Sequence, residues 1–135
     1  MGDLNIGLHQ ANLLWFGKSG MKWPAFLNAL QYQVLFRRTP FMIIIHLGGN
    51  SVAELSQKDL CDKIKTDIKY VRDTLKNTHI VWCDMLPRNS WRNNLYPTPK
   101  VLNKKLRRIN RTIKQYIQQI ESAHCITFKI HESMN

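Results

Sequence analysis

Phe41-Met42-Ile43-Ile44-Ile45-His46-Leu47-Gly48-Gly49-Asn50-Ser51 is the stretch on which the fold turns. Phe41 to Leu47 is a nearly continuous apolar run rich in β-branched side chains, set off by Pro40 before it and by Gly48-Gly49-Asn50-Ser51 after it. A half-buried strand alternates apolar and polar residues, whereas a run without alternation suits a strand buried on both faces, as in a parallel sheet. Parallel neighbours cannot be joined by tight turns and need crossover helices.

The flanking sequence supplies them. Downstream, Ser56 is placed as an N-cap, with Asp59 three residues on. Leu60, Ile64, Ile68, Val71 and Leu75 follow at steps of 4, 4, 3 and 4, one helical stripe. His79 to Leu86 reads as a second buried strand, and Pro87 to Pro99 as a polar loop holding Trp91 and Tyr96. The longest helix is expected from about Thr98 to Ser122, with Leu102, Leu106, Ile109, Ile113, Tyr116, Ile117 and Ile120 on one face, and Cys125 to Ile130 as a last short strand. Upstream, Trp23-Pro24 opens a helix carrying Phe26, Leu27, Leu30, Val34 and Leu35, preceded by a short strand at Leu13 to Phe16. The order β-α-β-α-β-α-β predicts an α/β fold, a parallel sheet with helices on both faces.

Length and charge bound the rest. The 135 residues suit one domain, 1–135, and leave no room for a second of ordinary size. An apolar content of 44% with 21% charged residues argues against general disorder. The longest unbroken apolar run, Phe41 to Ile45, falls far short of the roughly 20 residues that span a bilayer. Met1-Gly2-Asp3 lacks the basic start of a secretory signal. We therefore expect no membrane association and an intracellular location, cytoplasmic or nuclear. Cys61, Cys83 and Cys125 are odd in number and read as reduced core thiols. The histidines and cysteines show no close metal-ligand spacing, so neither a metal nor a cofactor is expected. Twenty Lys and Arg against nine Asp and Glu give a net charge of +11, which favours polyanionic partners.

In open α/β sheets function collects in the loops beyond the C-terminal ends of strands. Gly17 to Met21, Gly48 to Ser51 and Pro87 to Asn94 qualify. Glycines that admit close backbone approach, with the Asn50 amide at the mouth of the most buried strand, suit stabilisation of a developing oxyanion. The same residues are common in ordinary βα turns.

Ile45-His46-Leu47-Gly48-Gly49-Asn50 resembles the third signature block of SGNH (GDSL-type) hydrolases, an apolar strand ending in Gly-x-Asn. Gly17-Lys18-Ser19-Gly20-Met21 sits where that family places its second block, whose glycine amide contributes to the oxyanion hole. The wider pattern is similar to the SGNH-like domains of vertebrate retroelement-derived proteins. It includes Asn5-Ile6-Gly7-Leu8, Leu14-Trp15-Phe16, the Gly-x-x-Gly-x-x-Trp turn from Gly17 to Trp23, Val81 to Arg88, and Leu102 to Asn110. The resemblance implies a flavodoxin-like sheet of order 2-1-3-4-5 lacking its first strand and last helix, so a domain truncated at both ends. It implies Gly20 and Asn50 as oxyanion-hole residues and a small ester as substrate of the intact family domain.

The departures are in the catalytic blocks. The family takes its nucleophile from a Gly-Asp-Ser block, but this chain has Gly2-Asp3-Leu4, off any expected strand. The base comes from an Asp-x-x-His block, but no Asp stands three residues before His131. Where the family usually has Asp after the third-block Asn, this chain has Ser51. Acyl transfer through serine needs an activated serine. Ser19, Ser51 and Ser90 are loop serines and His46 and His131 candidate bases, yet turn hydroxyls normally bond the local backbone, so no rebuilt Ser–His pair is expected. Asp84, ending a strand, is expected as a buried, paired carboxylate. The resulting expectation is an esterase-like domain with no catalytic residues, an inactive fragment or degenerate copy. Its open sheet edges would favour self-association.

A second reading comes from charge. No acidic residue lies between Asp84 and Glu121, and Lys100, Lys104, Arg107, Arg111 and Lys114 step along the last helix by 4, 3, 4 and 3. Such a stripe could track phosphates nonspecifically, with Trp91 and Tyr96 as stacking platforms, or could be a solvated face. It points to a noncatalytic, nucleic-acid-associated module of retroelement origin.

Overall fold

In the computed structural model, which describes residues 16–36, 38–91 and 98–128, the apolar run folds as β1 (Met42–Ile45). It is shorter than the run because Gly48 turns the chain at φ 117°, a region open to glycine. β1 pairs in parallel with β2 (His79–Cys83), and β2 in parallel with β3 (Ala123–Ile126), in the order β1-β2-β3. Three consecutive parallel strands in that order match the 3-4-5 run of a flavodoxin-like sheet.

Register decides which side chains share a face. Ile43 lies beside Ile80 and Ile45 beside Trp82, and Ile80 and Trp82 lie beside Ala123 and Cys125. This set faces three helices, α1 (Phe26–Phe36), α2 (Gln57–Thr74) and α3 (Pro99–Ile117). The 3-10 turn Trp23–Ala25 leads into α1 with Pro24 in its first turn. Ser56 caps α2, its Oγ accepting from the Asp59 amide at 3.0 Å. Thr98 caps α3 by accepting from the Val101 amide at 3.4 Å, with Pro99 as first helical residue. The expected stripes are the buried ones: Leu60, Ile64, Ile68 and Val71 of α2 meet Leu102, Leu106, Ile109, Ile113 and Ile117 of α3 in one core with Trp23 and Trp82.

Two right-handed crossovers that advance in the same direction place their helices on the same side of the sheet. α2 and α3 accordingly pack on each other. α1 joins that side through Phe26, which shares the core with Trp82, and through Gln31, whose Nε2 donates to the Tyr70 hydroxyl at 3.4 Å. Among the described residues, helices therefore cover one of the two faces on which they were expected. Met42, Ile44 and Ile126 point from the other face and remain 43%, 55% and 42% exposed.

Element ends differ from expectation for local reasons. β2 stops at Cys83 rather than Leu86, because Asn110 of α3 captures the Met85 backbone. α3 ends at Ile117, where Gln119 and Ile120 donate three residues back, a tighter turn that still buries Ile120. β3 begins at Ala123, before the expected Cys125, and ends at Ile126. Of the expected strand Leu13 to Phe16, Leu13, Leu14 and Trp15 lie outside the described residues, and Phe16 is irregular. Cys61, Cys83 and Cys125 are free thiols, the first two buried. No described helix is long and apolar enough to cross a membrane.

The alternation along β1 gives a sharp contrast between neighbours. Ile45 is 3% exposed and Ile44 55%. Ile44→Lys should change unfolding free energy by no more than about 0.5 kcal/mol. Ile45→Lys should cost at least about 3 kcal/mol, because an ammonium enters the core. Urea denaturation of both variants measures the difference.

Candidate functional site

Beyond the C-terminal ends of β1 and β2, three expected loops meet at one side chain. Asn50, in the 3-10 turn Gly49–Ser51 that follows β1, donates from Nδ2 to the carbonyl of Met21 at 3.0 Å. Its Oδ1 accepts from the Arg88 guanidinium at 3.1 Å. The first bond reaches the residue after Gly20, which holds φ at 73°. The second reaches the loop after β2. Asn50 thus bonds the Gly17–Met21 loop through its amide nitrogen and is held in one amide orientation by a cation on its oxygen.

Arg88 owes its place to α3. Asn103, 9% exposed, accepts the Arg88 amide at 2.9 Å and donates to the Arg88 carbonyl at 2.7 Å. Asn110 does the same for Met85, at 2.9 Å for each bond. The spacing follows from geometry. Asn103 and Asn110 are seven residues apart, about 10.5 Å along a helix, and three extended residues from Met85 to Arg88 cover about 10 Å. Two side-chain amides therefore zip the chain after β2 to the helix, as a neighbouring strand would. The guanidinium then lies 4.8 Å from the centre of the Trp91 ring and against Gly49, where an added Cβ would stand 2.6 Å from Arg88 Nη2.

The loop serines and histidines are not assembled with this amide into a nucleophile and base. Ser51 is buried and its Oγ accepts the Trp23 amide at 2.8 Å. Ser19 and Ser90 are exposed, and His46 lies edge-on to Phe128 at 6.3 Å between ring centres. His131, Tyr96 and Arg92 lie outside the described residues. Asp84 is half-buried, with no ion pair among the described residues; its Oδ1 accepts the Cys125 thiol at 3.6 Å. Burial pushes the Asp84 carboxyl up, opposed by the Cys125 hydrogen bond and the charge of Lys114. The Cys125 thiol is pushed up to about 11, first by burial and then by the Asp84 charge.

Of the stripe on α3, Lys100, Lys104, Arg107 and Arg111 are exposed and Lys114 half-buried. Arg107, Arg111 and Lys114 line an open cleft that contains none of the Gly20, Asn50 and Arg88 side. Trp91 does not serve as a stacking platform: it is 3% exposed and its ring is taken by Arg88. The anchoring role of Asn103 and Asn110 was missed in the sequence, where the one available signal is two amides a heptad apart bordering the apolar stripe of a helix, an environment that disfavours Asn.

No protein-family model matches the chain, and no curated protein matches it. Among solved structures it is similar to a protein from Streptococcus pneumonia described as a "putative platelet activating factor", with a TM-score of 0.64 and 15% identity. The match covers 80% of this chain and 50% of that one, so this chain spans about half the length of its structural neighbour. The likeness is one of fold.

Removing the Asn103 amide should leave both backbone groups of Arg88 unpaired. Asn103→Ala should therefore cost about 1–3 kcal/mol in chemical denaturation. Amide exchange should speed up at Arg88 more than at Met85, which Asn110 still holds.

Proposed function

We propose that the chain carries the oxyanion-stabilising side of an SGNH (GDSL-type) esterase-like domain, at Gly20 and Asn50, and performs no acyl transfer by itself. The observation that carries this reading is the fixed Asn50 amide. One of its two N–H groups is spent on Met21, leaving one to donate. A cation on the amide oxygen polarises that remaining N–H, which strengthens it as a donor to developing negative charge. The fold shared with the Streptococcus pneumonia protein, and the signature-like blocks around Gly20 and Asn50, agree with that assignment. The missing half of the chemistry is equally specific. A serine becomes a nucleophile only with a base in reach, and Ser51 is buried, its oxygen accepting the Trp23 amide.

The purified chain should hydrolyse p-nitrophenyl acetate no faster than Gly20→Pro or Asn50→Ala controls. Saturable turnover lost in Ser19→Ala or Ser51→Ala would overturn this. Titration with an alkyl phosphonate, a tetrahedral anion, should shift the Gly20 backbone and Asn50 side-chain amide signals by NMR. Signals that stay put would count against the oxyanion assignment.

The second reading, a noncatalytic basic module that binds nucleic acid, is favoured by one observation. Lys100, Lys104 and Arg111 are exposed, and no ion pair among the described residues engages them. Affinity for a polynucleotide should then fall steeply with salt, and Gln at Lys104, Arg107 and Arg111 together should flatten the log–log salt slope by about two to three units. An unchanged slope excludes the stripe as the binding surface.

A further inference from the structure

The cleft beside the basic stripe shares no lining residue with the Asn50 cluster. It is open, about 320 Å³ in volume, and lies where β2 and β3 end against α3. Arg107, Arg111 and Lys114 line one wall at helical steps of 4 and 3, which places them on one side of α3. Leu86 and Phe128 also line it and remain 41% and 43% exposed. Phe128 is braced by His46, which meets its ring at 87°. Asp84 is the one carboxylate among the described lining residues, and it faces the Cys125 thiol.

Two features of this cleft call for a ligand from outside the chain. Cations outnumber the carboxylate, and neither Arg111 nor Lys114 has an ion pair among the described residues. Lys114 is half-buried and its charge acts on the Asp84 carboxyl without an ion pair among the described residues, so the lining keeps an excess of positive charge. An apolar side chain and an aromatic ring stand exposed next to those cations, a combination that suits a charged head joined to a flat apolar body. The volume lies at the small end of ligand pockets, roughly 300 to 1,000 Å³, the scale of one nucleotide-sized molecule.

We propose that this cleft binds a phosphate monoester of a flat aromatic group, a nucleoside 5′-monophosphate either free or at the end of a strand, with its phosphate on Arg111 and Lys114 and its ring against Phe128. A dianionic phosphate matches a multiply cationic wall better than a single carboxylate does, and arginine supplies paired donors to its oxygens. Asp84 opposes the ligand by charge. Its carboxyl is raised first by burial, and the Cys125 hydrogen bond and the charge of Lys114 oppose that rise. The inference does not rest on the oxyanion reading, since it uses none of those residues, nor on strand binding, since a single nucleotide suffices.

Calorimetric titration of the full chain with adenosine 5′-monophosphate tests it. Saturable binding of one ligand per chain is expected, tighter than adenosine and tighter than inorganic phosphate. Arg111→Gln and Lys114→Gln should each weaken it about tenfold, the scale of one charge-assisted hydrogen bond. Lys100→Gln and Lys104→Gln, on the same stripe but away from the cleft, should change it by less than about twofold, because salt screens distant exposed charges. Asp84→Asn, which keeps an oxygen for the Cys125 thiol, should tighten it. A 5′-phosphorylated oligonucleotide binding tighter than the mononucleotide assigns the ligand to a strand end, and one binding weaker assigns it to the free nucleotide. Absence of saturation, adenosine binding as well as its monophosphate, or equal losses in the two pairs of variants would each overturn the proposal. Strand binding without mononucleotide binding would also overturn it, while leaving the nucleic-acid reading of the stripe intact.

Discussion

Trp23 is the side chain on which the arrangement depends. It is fully buried, and a buried N–H must find a partner or cost free energy. Its backbone N–H donates to Ser51 and its ring Nε1 to Asp67 at 2.8 Å, so one residue ties the turn after β1 to the middle of α2. Its ring stacks on Phe26 at 4.7 Å and packs against Trp82 at 5.8 Å, which fixes the start of α1 over the centre of the sheet. The loop before Trp23 therefore has little freedom, and Met21 arrives within hydrogen-bond distance of Asn50. The carboxyl of Asp67 is raised by burial and pulled back by the Trp23 hydrogen bond, the balance expected of a carboxylate brought in to satisfy one donor.

The other side of the Asn50 cluster is positioned by a chain of neutral amides ending in one cation. Asn103 holds Arg88, and Arg88 holds Asn50. Asn103 fixes the Arg88 backbone, and the guanidinium is oriented by Asn50 and by the Trp91 ring. Lys105 adds a further tie, donating to the carbonyl of Leu55 just before the cap of α2, with its ammonium held below the usual lysine range by burial. α3 thus has three duties on different faces. It fills the core with its apolar stripe, anchors the loop after β2 with asparagines, and presents cations to solvent.

The sheet is unequal in its two faces. Among the described residues one face is closed by three helices, while on the other Val81 and Cys83 of the central strand are buried and Met42, Ile44 and Ile126 of the flanking strands are exposed. Phe41, at the start of β1, is 80% exposed. On a chain of net charge +11, mutual repulsion opposes the association that such a surface would otherwise drive.

Much of this was legible in the residues themselves. The unalternating run from Phe41, the stripes at Leu60 and Leu102, the Ser56 cap and Pro24 opening a helical turn each depend on local periodicity or local backbone chemistry, which need no knowledge of the rest of the chain. The Gly20 and Asn50 loops could be named because strand ends in α/β folds collect function. Other features depend on partners far along the chain. That helices close one described face follows from strand order, which sequence does not display. The contact of the Arg88 guanidinium with Asn50 depends on Asn103, fifteen residues on, which holds the Arg88 backbone in place. Trp91 read as an exposed platform until Arg88 covered it. Ser51 read as a candidate hydroxyl until Trp23 claimed it. Periodicity says which face of an element is buried, but hydrogen bonds between distant loops are decided by tertiary packing, because only there do the unsatisfied groups of one segment meet those of another.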